Sequence, residues 1–296
     1  MKVRLTFLYR ELYYSRRRNV FMNQMYCWKF TEDMPFDFDI QYFPAPALNP
    51  VMDFHNSIHL NLILNHSMVG KVGNTVFHLN RYDLQITAPW ELHGDNHAEK
   101  DLRLLSITAD PDLLISNLIG YREMALSLFL LEPRVRHKIV NSEATSKIRM
   151  KYSAALPAVT GDDPKIANLH RWLAIQNMLA ELLACIKTED LPKVPIKLYQ
   201  KLAPALDLFK NGRIVTIQEA ADACALSVSW FSHIFRQVYR TTFSEFEMRN
   251  RISHAASLLR QGLQLKVVAE QTGFYDSSHL SRYFRRYFGG TPGKIK

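Results

Sequence analysis

Apolar positions along this chain change period partway through. Between residues 23 and 109 they fall in short runs separated by turn residues. Phe36 to Phe43 alternates (FDFDIQYF), Ile58 to Leu64 is a compact apolar run, and Val69 to Phe77 encloses Gly70, Gly73 and Asn74; Leu84 to Thr87 and Leu102 to Thr108 follow. Alternation marks strands, and the Gly-Asn pair predicts a hairpin. Several short strands at close spacing predict a sandwich or small barrel. From Pro111 the period becomes helical, with Leu113, Leu114, Leu118 and Ile119 in phase. Residues 165 to 186 then carry Leu169, Trp172, Leu173, Gln176, Leu179, Leu183 and Ile186 as a stripe at three-to-four spacing. Such a stripe serves either as a core face or as a coiled-coil-like dimer seam. KTEDLPKVPIK, with Pro192 and Pro195, breaks the helix and reads as a linker over residues 187–196.

The last third is helical and written twice. Ala221, Leu226, Phe231 and Phe235 recur as Ala269, Phe274, Leu280 and Phe284, at a spacing of 48 to 49 residues. Each copy has a small residue in a short helix, an apolar residue in the turn, and an apolar pair four apart on a second helix, which is what a helix-turn-helix requires. Leu198, Leu202, Leu206 and Phe209 form an opening amphipathic helix, stopped by Asn211 and Gly212. Thr216 with Glu219 three residues on is a capping box, and Ser227 or Ser229 caps the first recognition helix. A helix from Phe243 to Arg260, ended by Gln261 and Gly262, connects the motifs as a strut, and the second motif runs from Leu265 to Phe288.

Charge sharpens this division. Residues 197 to 296 hold 15 Lys and Arg against 7 Asp and Glu, residues 1 to 21 hold 6 against 1, and the middle is mildly acidic, within a net charge of +9. A basic last third points to a polyanionic partner for that part. Cys27, Cys185 and Cys224 are far apart and form no CxxC, which implies a reducing cytoplasmic setting without a disulfide framework or thiolate zinc site. No apolar run approaches the ~20 residues of a membrane helix, so no membrane partner is expected. Residues 1–21 read as a basic extension; Arg16, Arg17 and Arg18 follow its apolar patch, the reverse of a secretion signal, and Met22 and Met25 are alternative starts.

The runs EAADACALS at 219 to 227, Arg251 with Ala255, Leu258 and Leu259, and VAEQTGFYDSSHLSRYFRRYFGGTP at 268 to 292 closely resemble the AraC/XylS family of bacterial transcription regulators. The resemblance covers about 95 residues, and its last segment, with Gly273, Phe274, Asp276, Gly289 and Pro292, is the family's signature region. It departs at Arg240, where the family usually has glycine, at Leu280 in place of phenylalanine, and in ending soon after Pro292. Left-handed backbone at Arg240 would be strained. With Phe231, Ile234, Phe235, Leu280, Tyr283 and Phe284 turned inward, the polar faces are left for DNA, each helix entering the major groove about 34 Å from the other. The resemblance places base readers at Ser229, Ser232, His233, Ser278, His279 and Arg282, while Arg236, Arg285 and Arg286 hold phosphates.

The segment from His55 through Asn80, Arg81, Tyr82, Asp83, Pro89 and His93 resembles the cupin-like ligand domain that precedes many such DNA-binding regions. The expected fold is therefore α+β: a cupin-like β-barrel with a helical dimerisation segment over 22–186, the linker, and an all-α domain with two helix-turn-helix motifs over 197–296. His55, His59, Tyr82, Trp90 and His93 are expected to line a pocket for a small polar effector, sugar-like by family analogy. Six of the eleven histidines (His55, His59, His66, His78, His93 and His97) lie in this segment, over residues 55–97, yet no HxH with a spaced glutamate appears, so no metal or other cofactor is assigned. The resemblance implies operator half-sites in double-stranded DNA, activation with RNA polymerase as a partner, and a homodimer. No nucleophile triad, P-loop or dinucleotide fingerprint is present. A cupin-type metalloenzyme carrying a DNA-binding module is the alternative.

Overall fold

The computed structural model describes residues 30–31, 34–44, 51–161, 163–191, 196–209, 212–288 and 290–294. The expectations for residues 1–21, Cys27, Pro192, Pro195, Asn211 and Gly289 lie outside them. The described residues fall into two compact units, Phe30–Ala203 with Gln237–Arg240, and Pro204–Arg236 with the residues from Thr241 onward. The fold class is α+β, with strands confined to the first unit.

Eight strands build that unit: β1 (Phe36–Phe43), β2 (Val51–Asp53), β3 (Ile58–Ile63), β4 (Met68–Val72), β5 (Thr75–Leu79), β6 (Leu84–Thr87), β7 (His93–Ala98) and β8 (Leu102–Ala109). They form two antiparallel four-stranded sheets, ordered β1-β8-β3-β6 and β2-β7-β4-β5, rather than one closed barrel. The predicted hairpin is β4 and β5, turning at Gly73 with φ 57°, a conformation that favours glycine.

Side-chain alternation gives the first sheet two different faces. Ile58, Leu60, Leu62, Leu84, Ile86, Leu105 and Ile107 point to a helical layer and share its core. The opposite residues of the same strands look toward the second sheet. Toward one end of that inter-sheet space, Ile63, Leu102 and Leu104 pack on Met68, Val72, Phe77 and Leu79 of β4 and β5. The other end is polar.

The helical layer comprises α1 (Pro111–Ser116), α2 (Arg122–Leu130), α3 (Pro133–Val140), α4 (Glu143–Ala158) and α5 (Pro164–Ala184). Asp110 caps α1 by accepting the Leu113 N–H. That helix stops at Asn117, so Ile119, expected on an apolar face, stands 90% exposed in the following turn. On α5 the predicted stripe divides. Leu179 and Leu183 are buried, with Ile186 just beyond the helix, Trp172 stacks on Phe36 at 5.4 Å, and Gln176 donates to the Leu114 carbonyl; Ile166, Leu169 and Leu173 remain about half exposed. Core packing claims the C-terminal part of the stripe and leaves the N-terminal part open.

After α6 (Ile196–Asp207) come α7 (Ile217–Ala223), α8 (Val228–Tyr239), α9 (Phe243–Arg260), α10 (Leu265–Gln271) and α11 (Ser277–Phe288). The capping box forms as predicted: Thr216 Oγ1 accepts the Glu219 N–H and Glu219 accepts the Thr216 N–H. Gly212, at φ 74°, passes so close to the His254 ring that a Cβ there would lie 2.3 Å from it.

Candidate functional site

Two helix-turn-helix motifs, α7–α8 and α10–α11, are mounted on one strut. At the start of α9, Phe243 and Phe246 enter an aromatic cluster with Phe209, Phe231 and Phe235, ring centroids 5.2 to 5.9 Å apart. Farther along, Ile252, Ala255 and Ala256 pack on Val268, Ala269, Phe274, Leu280 and Phe284. Each motif thus shares a core with a different part of the same helix, which sets the two recognition helices, α8 and α11, relative to each other.

The turns match bond for bond. In the first, Leu226 N–H donates to the Ala221 carbonyl and Ala225 N–H to that of Asp222, both at 3.0 Å. In the second, Phe274 N–H reaches Ala269 at 2.8 Å and Gly273 N–H reaches Glu270 at 3.1 Å. This pattern needs a left-handed residue at its centre: Gly273 supplies it at φ 69°, whereas Ala225 adopts φ 52° despite its Cβ. Arg240 also sits in the left-handed region, at φ 53°, despite its Cβ. Ser227 caps α8, accepting the Trp230 N–H through Oγ, and Asp276 caps α11, accepting the His279 N–H at 2.6 Å.

A clamp fixes the second turn to the strut. Arg251 Nε donates to the Thr272 carbonyl at 2.8 Å, its terminal nitrogen donates to the Gly273 carbonyl, and the guanidinium lies 4.5 Å from the Phe274 ring centroid. Glu247, one turn earlier, pairs with it at 3.7 Å. Burial pushes the Glu247 carboxyl up and Arg251 offsets part of that rise.

The expected inward residues Phe231, Ile234, Phe235, Leu280 and Phe284 are buried, and Tyr283 is half-buried. Ser229, His233 and Arg236 on α8 are exposed, as are Ser278, Arg282, Arg285 and Arg286 on α11. Two expected readers are differently placed. Ser232 is half-buried and donates its hydroxyl to the Val228 carbonyl at 2.8 Å; Ser281, its counterpart, does the same to Ser277. His279 is half-buried, its ring edge-on to Phe274 and Tyr283, with Nδ1 accepting the Tyr275 N–H. Sequence reasoning misses Trp230, 47% exposed and stacked on His233, and Tyr275, 92% exposed before α11. Both are aromatic, and an aromatic residue beside an apolar stripe reads as core.

In the first unit, His59 and Asn61 on β3, Gln85 and Thr87 on β6, and Ser106 and Thr108 on β8 occupy the face opposite the helical layer. The register sets His59 across from Thr87 and Thr108, and Asn61 across from Gln85 and Ser106. Gln85 reaches the second sheet, its amide lying where a Cβ on Gly70 of β4 would be. The side-chain oxygens of Asn61 and Gln85 are buried with no hydrogen-bond partner.

Three imidazoles meet at this polar end. His59 Nδ1 lies 3.1 Å from His93 Nε2, His59 Nε2 lies 2.7 Å from Ser106 Oγ, and His93 Nδ1 lies 2.8 Å from the Glu91 carbonyl. His55 Nδ1 accepts the Ser57 N–H, and one ligand nitrogen from each of the three rings lies within 4.8 Å of the others. Burial, reinforced by the neighbouring rings, pushes His55 and His59 well below the ordinary histidine range. They are therefore neutral near pH 7, with lone pairs available.

Trp90 joins this group through its backbone, donating to the His55 carbonyl at 2.7 Å, while its ring packs on Phe54. Tyr82 does not. It lies in the turn before β6, its N–H bonded to the Ile63 carbonyl at the far end of β3 and its own carbonyl held by Arg149. His66 and His78 also stand apart, exposed on a turn and on β5.

A family model described as a helix-turn-helix domain matches residues 220–296. The HTH-type transcriptional regulator RipA of Corynebacterium glutamicum is 33% identical over 112 residues, 37% of this chain and 34% of that protein. The RCS-specific HTH-type transcriptional activator RclR of Escherichia coli K12 is 26% identical over 157 residues, 52% of this chain and 54% of that protein. These matches span between 34% and 54% of the relatives' length. Among solved structures, unsaturated fatty acid bound wild-type ToxT from Vibrio cholerae strain SCE256 superposes with TM-score 0.54 at 11% identity, covering 90% of this chain and 95% of that one. Identity that low establishes likeness of fold alone.

Proposed function

We propose that this chain is an AraC-type, sequence-specific transcription regulator that binds double-stranded DNA through both motifs, a reading supported by the match of residues 220–296 to a helix-turn-helix domain family. The observation that carries this reading is the pair of recognition helices fixed to one strut, each with an exposed polar or basic face. In this reading Ser229, His233, Ser278 and Arg282 read base edges, Arg282 taking guanine bidentately. Ser232 contributes through the lone pairs of its hydroxyl and His279 through its Nε2–H donor, Nδ1 being taken by the Tyr275 N–H, and Arg236, Arg285 and Arg286 hold phosphates. Activation through RNA polymerase is the expected output; the relative RclR is itself a transcriptional activator. Binding of labelled duplex by the full chain at rising salt tests the reading: affinity for specific DNA falls log-linearly with salt while a preference over random duplex persists. Equal affinity for all duplexes at every salt concentration would sink it.

The N-terminal unit is proposed as the regulatory half, with residues 22–186 responding to a small polar effector of sugar-like chemistry. The partnerless oxygens of Asn61 and Gln85 support a ligand bearing hydroxyl donors, since buried polar groups normally find partners. His55, His59 and His93 line the same polar end, beside Trp90. Sugars, sugar acids and unsaturated fatty acids would be screened by thermal shift; the last are included because ToxT, which shares the fold, is bound to one. A shift given by a polyol and lost in Gln85→Leu supports this effector class, and a shift given only by fatty acids overturns it. Dimerisation is assigned to Ile166, Leu169 and Leu173, an exposed apolar set at i, i+3 and i+7 on α5 that a second copy would cover. Leu169→Glu with Leu173→Glu should convert a dimer to monomer in sedimentation; an unchanged mass would reject that seam.

A further inference from the structure

We propose that His55, His59 and His93 bind a single divalent first-row transition ion of the zinc class, with one coordination position left open. The geometry carries this. Two imidazole nitrogens on one tetrahedral zinc, each at about 2.0–2.1 Å, stand about 3.3 Å apart. His59 Nδ1 and His93 Nε2 are 3.1 Å apart, so a small opening of the pair admits the ion.

The outer partners fit as well. A ligating histidine ordinarily donates its other ring N–H to a fixed acceptor. His93 already does so from Nδ1 to the Glu91 carbonyl at 2.8 Å, which leaves Nε2 with its lone pair inward. His59 has Ser106 Oγ 2.7 Å from Nε2, and the hydroxyl rotor can accept there once Nδ1 gives its proton up. His55 completes the set, offering a ring nitrogen within 4.8 Å of the other two, while its Nδ1 accepts the Ser57 N–H at 3.2 Å. Nitrogen-only ligation selects zinc, nickel, cobalt or copper over magnesium or calcium, which take oxygen.

The site also has a route to the helical layer. Glu91 uses its carbonyl on His93 and its carboxylate on the buried Arg136 of α3, which in turn donates to the Phe129 carbonyl. An ion that fixes the His93 ring therefore also fixes the segment that Arg136 grips.

The assignment does not rest on the regulator reading, because its test involves no DNA. Full-length protein stripped with chelator is titrated with zinc against a chromophoric competitor, and with cobalt(II) for its visible ligand-field bands. One equivalent per chain is expected. It should be lost in His59→Asn and His93→Asn and retained in His66→Ala, which alters an exposed histidine outside the cluster. X-ray absorption of the zinc-loaded wild type needs no substitution, and so stands even if a variant fails to fold. Outer-shell scattering from three imidazoles supports the site. Sulfur ligation, or binding that survives both substitutions in a folded chain, overturns it.

Discussion

Arg251→Ala should unseat the second helix-turn-helix from its strut. The side chain is only 15% exposed and makes two charged hydrogen bonds to the carbonyls of Thr272 and Gly273, besides its contact with Phe274. Hydrogen bonds to charged groups contribute about 1.5–3 kcal/mol each, and a cation–ring contact about 0.5–1 kcal/mol. Water will reach the freed carbonyls at this helix end, so the sum is an upper bound. We expect a net loss of about 2–4 kcal/mol, a large share of the ~5–15 kcal/mol that stabilises a domain. Arg251→Lys keeps the charge but not the fork, and should fall between the two. Removal also strands Glu247, 13% exposed, whose carboxyl burial already raises. A carboxyl raised on folding binds more protons in the native state, so its contribution to stability falls as pH rises from the ordinary carboxylate range through the folded value. The loss in Arg251→Ala should therefore be smaller at acid pH than at neutral pH. Urea denaturation of the full chain at both values provides the measurement. A loss under about 0.5 kcal/mol, within the range of ordinary surface changes, would show that the clamp does not hold the turn.

The two turns should respond oppositely to one methyl group. Ala225→Gly relieves left-handed strain and should stabilise by about 0.5–1 kcal/mol, whereas Gly273→Ala places a Cβ 2.6 Å from Ile214 Cδ1 and should destabilise by about 2 kcal/mol or more; thermal melts read both. Arg136→Ala leaves the Glu91 carboxylate without its buried partner and should cost about 3–5 kcal/mol by urea denaturation. Arg282→Ala should lose about 1–3 kcal/mol of site discrimination, while Arg286→Ala weakens all duplexes alike; competition binding distinguishes them, and equal losses on specific and random DNA for Arg282 would remove it from the readers.

The C-terminal third is legible because its folding signals are local. Thr216 and Glu219, Gly212 and Gly262, and the repeated apolar quartet all act within a few residues, and the strut runs over the predicted Phe243–Arg260. The N-terminal unit is legible only where strands alternate. β2 (VMD) is three residues long, and β7 (HGDNHA) is polar along most of its length, so neither shows a period. His55, His59 and His93 are grouped in the sequence only through the resemblance to a cupin-like domain; their mutual geometry is not legible there, because they come from the segment before β3, from β3, and from β7 in the other sheet, and no linear spacing encodes that meeting. Tyr82 groups with them only by nearness in sequence: β6 is antiparallel to β3, so its last residue Thr87 lies across from His59 while Tyr82, before its start, lies by Ile63 at the other end of β3. Ser232 and His279 are less open than expected for a related reason: helical phase gives a face, not the hydroxyl bond Ser232 makes back to its own helix nor the packing of the His279 ring on Phe274 and Tyr283 with Nδ1 on the Tyr275 N–H.

The central claim is that both motifs read DNA together. Selection of bound duplexes from a random pool by the full chain, repeated with Ser229→Ala/His233→Ala and with Arg282→Ala, tests it most directly. The account predicts two enriched blocks about one helical turn apart, ~10–10.5 base pairs, the first blurred by the α8 substitutions and the second by the α11 substitution. A single block, or two blocks that both substitutions blur equally, would contradict it.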